Sequence, residues 1–136
     1  MLHSGFVHIA RVYALPVRLY TEFLNEGGGL LRSNMDVLQY GGLEVNPLEQ
    51  TVYYLGQEII FTNREFQVLY LLLKYRGQVF SKRQIYEQIT DDEERTDYHT
   101  IEITISRIRK KLETYLGHAD VIVTVRGRGY KIKKQI

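Results

Sequence analysis

The chain has 136 residues, 44% hydrophobic and 25% charged, enough for one domain with its own core and too apolar for a wholly disordered chain. It contains no cysteine, which excludes a disulfide framework, a thiolate zinc site and a cysteine nucleophile. Its 18 basic and 16 acidic residues leave a net charge of +2, and the placement of those charges says more than their sum.

Residues 1–90 balance, with eight basic and eight acidic side chains. Residues 91–97 set Asp91, Asp92, Glu93, Glu94 and Asp97 against Arg95, a local charge of −4. Residues 98–136 carry nine basic and three acidic residues, a local charge of +6. A basic C-terminal third suits a polyanionic partner, although a solvated face has the same composition.

In chain order, residues 1–24 are moderately apolar but interrupted by Arg11, Pro16 and Arg18. No run approaches the roughly 18 apolar residues of a membrane span, and no signal-peptide core follows a basic start, so secretion is not expected. Gly27-Gly28-Gly29 reads as a flexible joint, and residues 1–36 stand apart as an N-terminal extension. From residue 37 the pattern is orderly. Short segments Val37–Tyr40, Leu43–Asn46, Thr51–Tyr54 and Glu58–Phe61, parted by Gly41-Gly42, Asn46-Pro47 and Gly56, predict an antiparallel meander. Thr62-Asn63-Arg64-Glu65 is a capping box opening a helix with Phe66, Leu69, Tyr70 and Leu73 on one face, stopped by Gly77. Ser81-Lys82-Arg83-Gln84 opens a second, shorter helix with Ile85 and Ile89 inward. A third helix is predicted from about Thr100 to Tyr115, and a β-hairpin from Val121–Arg126 and Tyr130–Lys133 around Gly127-Arg128-Gly129. The order predicts an α+β fold over 37–136, a winged helix-turn-helix with an N-terminal antiparallel sheet and a C-terminal hairpin wing.

At 100° per residue, Ile101, Ile105, Ile108 and Leu112 form a narrow stripe that anchors the third helix on a core. Thr100, Ile103, Thr104, Arg107, Lys110 and Lys111 fall mostly on the other side. Such a front suits the DNA major groove. Arg107 can reach a guanine bidentately, Thr104 a base edge or phosphate, and Ile103 a thymine methyl. Arg109, Lys110 and Lys111 have the charge and reach for phosphates. The hairpin tip, Arg126 to Lys131, offers Arg126 and Arg128 to a narrow minor groove. A helix and wing of this charge would neutralise roughly five or six phosphates, for a log–log salt slope of about −5. A lysine-rich surface helix and an ordinary turn with solubilising arginines would look similar.

Four stretches, in order, carry a more specific signal: Phe61–Leu69, Gly77–Lys82, Thr100–Leu112 and Thr124–Tyr130. Through them Leu43–Lys134 resembles the C-terminal DNA-binding domain of OmpR/PhoB-type two-component response regulators. The resemblance implies sequence-specific promoter binding in the bacterial cytoplasm, by a chain that is monomeric when free and paired on repeated DNA sites. It places Arg107 at the base-reading position and His99, Thr100, Thr104 and Arg109 at phosphate-contacting ones. Thr124, Arg126 and Tyr130 fall in the wing, Thr124 and Tyr130 as phosphate contacts and Arg126 at its minor-groove tip. The loop from Thr90 to Tyr98, with Asp91, Asp92, Glu93 and Glu94, corresponds to the segment through which such regulators touch RNA polymerase. Thr90 stands where many relatives have tryptophan, and His99 where arginine is frequent, which weakens that contact near neutral pH unless the imidazole is charged. Residues 1–36 do not supply the receiver domain usual in this family. Leu15–Arg32 is compatible with a remnant of a receiver's last helix and linker, and equally with a tag or a disordered lead-in.

Catalysis is not expected. The histidines His3, His8, His99 and His118 lack metal-ligand spacing, and neither a nucleophile with its base nor a phosphate loop is visible, so no cofactor or metal is assigned. The alternative to DNA is a protein-interaction module that binds an acidic protein partner.

Overall fold

Alternation of apolar and polar residues builds the first layer. In the computed structural model, which describes residues 36–89, 98–118 and 120–135, strands β1 (Leu38–Tyr40), β2 (Leu43–Asn46), β3 (Thr51–Tyr54) and β4 (Gln57–Ile59) form an antiparallel meander in sequence order. Its register sets Val45 opposite Val52 and Val52 opposite Ile59, so one face buries Tyr40, Leu43, Val45, Val52 and Ile59. Gln39, Glu44 and Glu58 point to solvent. The β3–β4 turn places Leu55 at φ 49° and Gly56 at φ 84°, the paired left-handed conformation that matches strand twist in a two-residue hairpin. So short a turn starts β4 one residue earlier than the sequence suggested, and Ile60 and Phe61 become the approach to the next helix.

Helix α1 (Asn63–Lys74) begins with the predicted box. The Glu65 amide donates to Thr62 Oγ1 at 3.2 Å, and the Thr62 amide donates to Glu65 Oε1 at 2.9 Å. Every residue from Glu65 to Leu73 is buried, which the four-residue stripe read from the sequence understates. The helix is covered by the sheet, by α3 and by the terminal hairpin, so no side of its centre meets water. Helix α2 (Lys82–Gln88) is capped likewise by Ser81 and Gln84 and buries Ile85. Helix α3 (Tyr98–Leu116) runs longer at both ends than predicted and buries Ile101, Ile105, Ile108 and Leu112, the expected stripe.

Strands β5 (Ile122–Val125) and β6 (Gly129–Ile132) form the hairpin, with Ile122 opposite Ile132 and Thr124 opposite Tyr130. Phe80, in the α1–α2 connection, adds a bridge to this hairpin: its amide donates to the Tyr130 carbonyl at 2.8 Å, and the Tyr130 amide donates back at 2.9 Å. The Gly77 amide donates to the Ile132 carbonyl at 2.7 Å. The wing is therefore stitched to the connection between the first two helices. The sequence readings of residues 1–35 and of the acidic loop, including Asp91, Asp92, Glu93 and Glu94, lie outside the described residues. Among the described residues no helix is long and apolar enough to cross a membrane.

Candidate nucleic-acid interface

With α3 anchored through its isoleucine stripe, the opposite face is fixed by geometry. His99, Ile103, Ser106, Arg107, Lys110 and Thr114 recur three or four residues apart and are all exposed, Ile103 to 38%. Large apolar side chains at such positions lose free energy to water, so Ile103 stands out on an otherwise polar face. Ser106 belongs to this face and was missed. The signal was present, since it lies three residues after Ile103 and one before Arg107.

Three predicted contacts sit elsewhere. Thr104 is only 4% exposed, and its Oγ1 donates to the Thr100 carbonyl at 2.9 Å. At about 70° from the centre of the apolar stripe it falls within the buried arc, and its hydroxyl proton is held by its own helix. It is therefore no part of the exposed front. Lys111 turns toward α1, where its Nζ lies 2.6 Å from Glu65 Oε1 and 5.4 Å from the centre of the Phe61 ring. This ammonium is engaged by a buried carboxylate and is not offered to phosphate. Arg109 reaches from the flank of α3 to the wing. Its Nε and Nη2 donate to the Ile122 carbonyl at 3.1 and 2.8 Å, and Nη2 donates to Thr124 Oγ1 at 2.8 Å. The guanidinium lies 5.6 Å from the centre of the Tyr130 ring. Arg109, Thr124 and Tyr130 thus form one cluster.

At the start of α3, Glu102 accepts from Lys82 Nζ at 2.9 Å and faces His99 Nδ1 at 3.0 Å. These bonds, that from Lys82 foremost, hold the Glu102 carboxyl below its usual range. The bond to Glu102 in turn holds the Lys82 ammonium above its usual range. A carboxyl whose folded-state pKa is depressed adds stability above its unfolded value and loses it as pH falls through the folded one. Thermal melts from neutral pH downward should thus show stability falling in the acidic range, below about pH 4.5, with a shallower fall in Glu102→Gln. Equal acid sensitivity in the variant would remove Glu102 as a source. The linkage tethers α2 to α3.

The wing tip carries Arg126 and Arg128, both exposed. Between the wing and the leading ends of α2 and α3 lies an open cleft of about 490 Å³, lined among others by Lys82, Arg83, Glu102, Thr124, Arg128 and Tyr130. Lys82 and Arg83 were unassigned in the sequence, although the capping box already put two cations in the first turn of α2. Exposed cations of α3 and the wing, with Ile103 among them, make a surface able to bind a polyanion and to touch apolar groups between its charges. Among the described residues no cluster of three or more acidic or histidine side chains is placed to hold a metal.

Residues 56–132 match the protein family described as "Transcriptional regulatory protein, C terminal". The chain is 28% identical over 127 residues to the uncharacterized transcriptional regulatory protein YvcP of Bacillus subtilis (strain 168), a match covering 93% of this chain and 52% of that one. The chain spans about half the length of the curated relatives it matches. Among solved structures it is similar to the DNA-binding domain of CpxR from E. coli, with 31% identity, a TM-score of 0.63, and coverage of 74% of this chain and 99% of that one. It is also similar to the Klebsiella pneumoniae RstA DNA-binding domain in complex with the RstA box, with 26% identity, a TM-score of 0.60, and coverage of 72% and 97%.

Proposed function

The chain belongs to the family of C-terminal domains of transcriptional regulatory proteins, and on that premise we propose that it binds double-stranded DNA sequence-specifically to regulate bacterial transcription. In this reading α3 enters the major groove and the β5–β6 wing meets the adjacent minor groove. The observation that carries it is the exposed face of α3, with Ile103, Ser106, Arg107 and Lys110 in one stripe beside the arginine-tipped wing. The similar RstA domain is described in complex with its DNA box, which supports the same partner here.

Arg107 reads guanine and Ile103 packs on a thymine methyl. Lys110, Thr100 and His99 hold phosphates, and Arg126 and Arg128 occupy the minor groove. The module is a reader without catalysis of its own, at work on DNA in the bacterial cytoplasm. Because Lys111 and Arg109 are engaged within the domain, the phosphate count falls below that suggested by charge alone. Contacts from Lys110, Arg126, Arg128 and Lys131 neutralise about four phosphates, for a salt slope of about −4.

Anisotropy titration on DNA selected from a random pool, run at several salt concentrations, tests this. Arg107→Ala should cost on the order of 1–3 kcal/mol on the selected site and much less on random DNA. Absence of salt-sensitive binding to any duplex would refute the reading and favour an acidic protein partner.

A further inference from the structure

From α3 the Arg109 side chain hydrogen-bonds to the β5–β6 hairpin and touches both strands. Its fork closes on the Ile122 carbonyl and the Thr124 hydroxyl of β5, while its plane lies near the ring of Tyr130 on β6. Thr124 and Tyr130 are themselves cross-strand partners, so a single guanidinium spans one rung of the hairpin. The base of the wing is seated by the buried side chains of Val121, Ile122 and Ile132, while the bridge to Phe80 engages Tyr130 on the same rung as Arg109. The buried side chains fix where the hairpin starts. The angle between its outer half and α3 is set at the Thr124–Tyr130 rung, where Phe80 supplies the backbone tie to the α1–α2 connection and Arg109 the side-chain tie to α3.

We propose that Arg109 is a positioning residue that locks the wing to α3, with Thr124 and Tyr130 as parts of the lock in place of the phosphate contacts their family positions suggest. The inference rests on the DNA-binding reading for its consequence, but the lock itself is a property of the free domain. Arg126 and Arg128 follow Thr124 by two and four residues, so the Arg109 fork determines where they stand relative to Arg107. A guanidinium suits this task and an ammonium does not. Its donors are coplanar and its face stacks on an aromatic ring, whereas lysine offers a compact point charge. With the lock closed, the two reading elements approach DNA at one preset separation, and no binding free energy goes into ordering them.

The absence of native cysteine allows a direct test. Spin labels at Thr114→Cys on α3 and Arg128→Cys on the wing report their separation in free protein. Arg109→Lys and Thr124→Val, both expected to stay folded by circular dichroism, should broaden the distance distribution. Arg109→Ala should broaden it further. On DNA, Arg109→Lys should lose about three- to tenfold discrimination against sites altered only in the segment beneath the wing, with its salt slope unchanged.

A phosphate contact behaves in the opposite way: Arg109→Lys would bind as wild type, Arg109→Ala would lower the slope by about one, and the distances would not move. That pattern overturns the proposal. Unbroadened distances in all three variants also overturn it. Broadened distances in a protein that binds no DNA would uphold the lock and refute the DNA reading, so the two failures are distinguishable.

Discussion

Gly129→Ala is expected to destabilise the domain by about 3–4 kcal/mol and to displace the wing, more than any other single methyl added at a described glycine. Gly129 sits at φ 140°, a region essentially closed to side chains. A Cβ there would lie 2.0 Å from the Phe80 carbonyl oxygen, 2.6 Å from its carbon and 2.7 Å from Ser81 Cα. All three are backbone atoms, so no rotamer change relieves the overlap. The strands must separate instead, and with them go the two hydrogen bonds between Phe80 and Tyr130. Ser81 is the N-cap of α2, so the displacement reaches the second helix. Gly127→Ala is the control. Its φ of 74° carries a cost of about 1 kcal/mol, but nothing lies within 4 Å of the added carbon. Urea unfolding should show a large drop in midpoint for the first and a small one for the second, at similar slopes. Equal midpoints would mean that the Phe80 bridge contributes nothing.

The second large effect separates two adjacent lysines. Lys111→Ala should destabilise folding by about 2–3 kcal/mol, somewhat below the range for a fully buried pair because the Lys111 side chain is 35% exposed. Glu65 is buried, and its Oε1 accepts both the Thr62 amide and the Lys111 ammonium. Loss of the ammonium leaves the carboxylate charge within the α1–α3 contact, supported by the capping bond. Lys110→Ala should stay within about 0.5 kcal/mol of wild type in stability and instead lower the DNA salt slope by about one. In a double-mutant cycle, Glu65→Gln should absorb much of the Lys111→Ala loss, because glutamine keeps an acceptor for the cap and carries no charge. Purely additive losses would show that the two side chains do not act as a pair.

These contrasts mark where the sequence was legible. The meander, both capping boxes and the isoleucine stripe of α3 depend on residues within a turn or a hairpin of one another, so periodicity and turn chemistry reveal them. What the wheel could not give was what lies against the two flanks of α3. Lys111 meets Glu65 46 positions earlier, and Arg109 meets Ile122 13 positions later. Both were read as phosphate-facing because a cation on an amphipathic helix looks outward until its partner is placed. Thr104 was misread for a smaller reason: the buried arc extends past the stripe when neighbours pack on its shoulder. The Phe80–Tyr130 bridge joins residues 50 positions apart and has no local sequence mark, since backbone groups form it. Most of the fold and the central α3 face were therefore readable, while the contacts that orient that face were tertiary.

That same bridge bears on how the domain is made in the cell. The wing is synthesised after all three helices, yet it supplies the partners for the Phe80 backbone and the Gly77 amide and brings Ile122 and Ile132 into the core. A chain that stops before β6 leaves those groups unmatched and the face of α1 uncovered, so its core is incomplete. The domain therefore reaches its stable fold only once the last hairpin is made, and a chain that stops short of β6 is exposed to proteolysis.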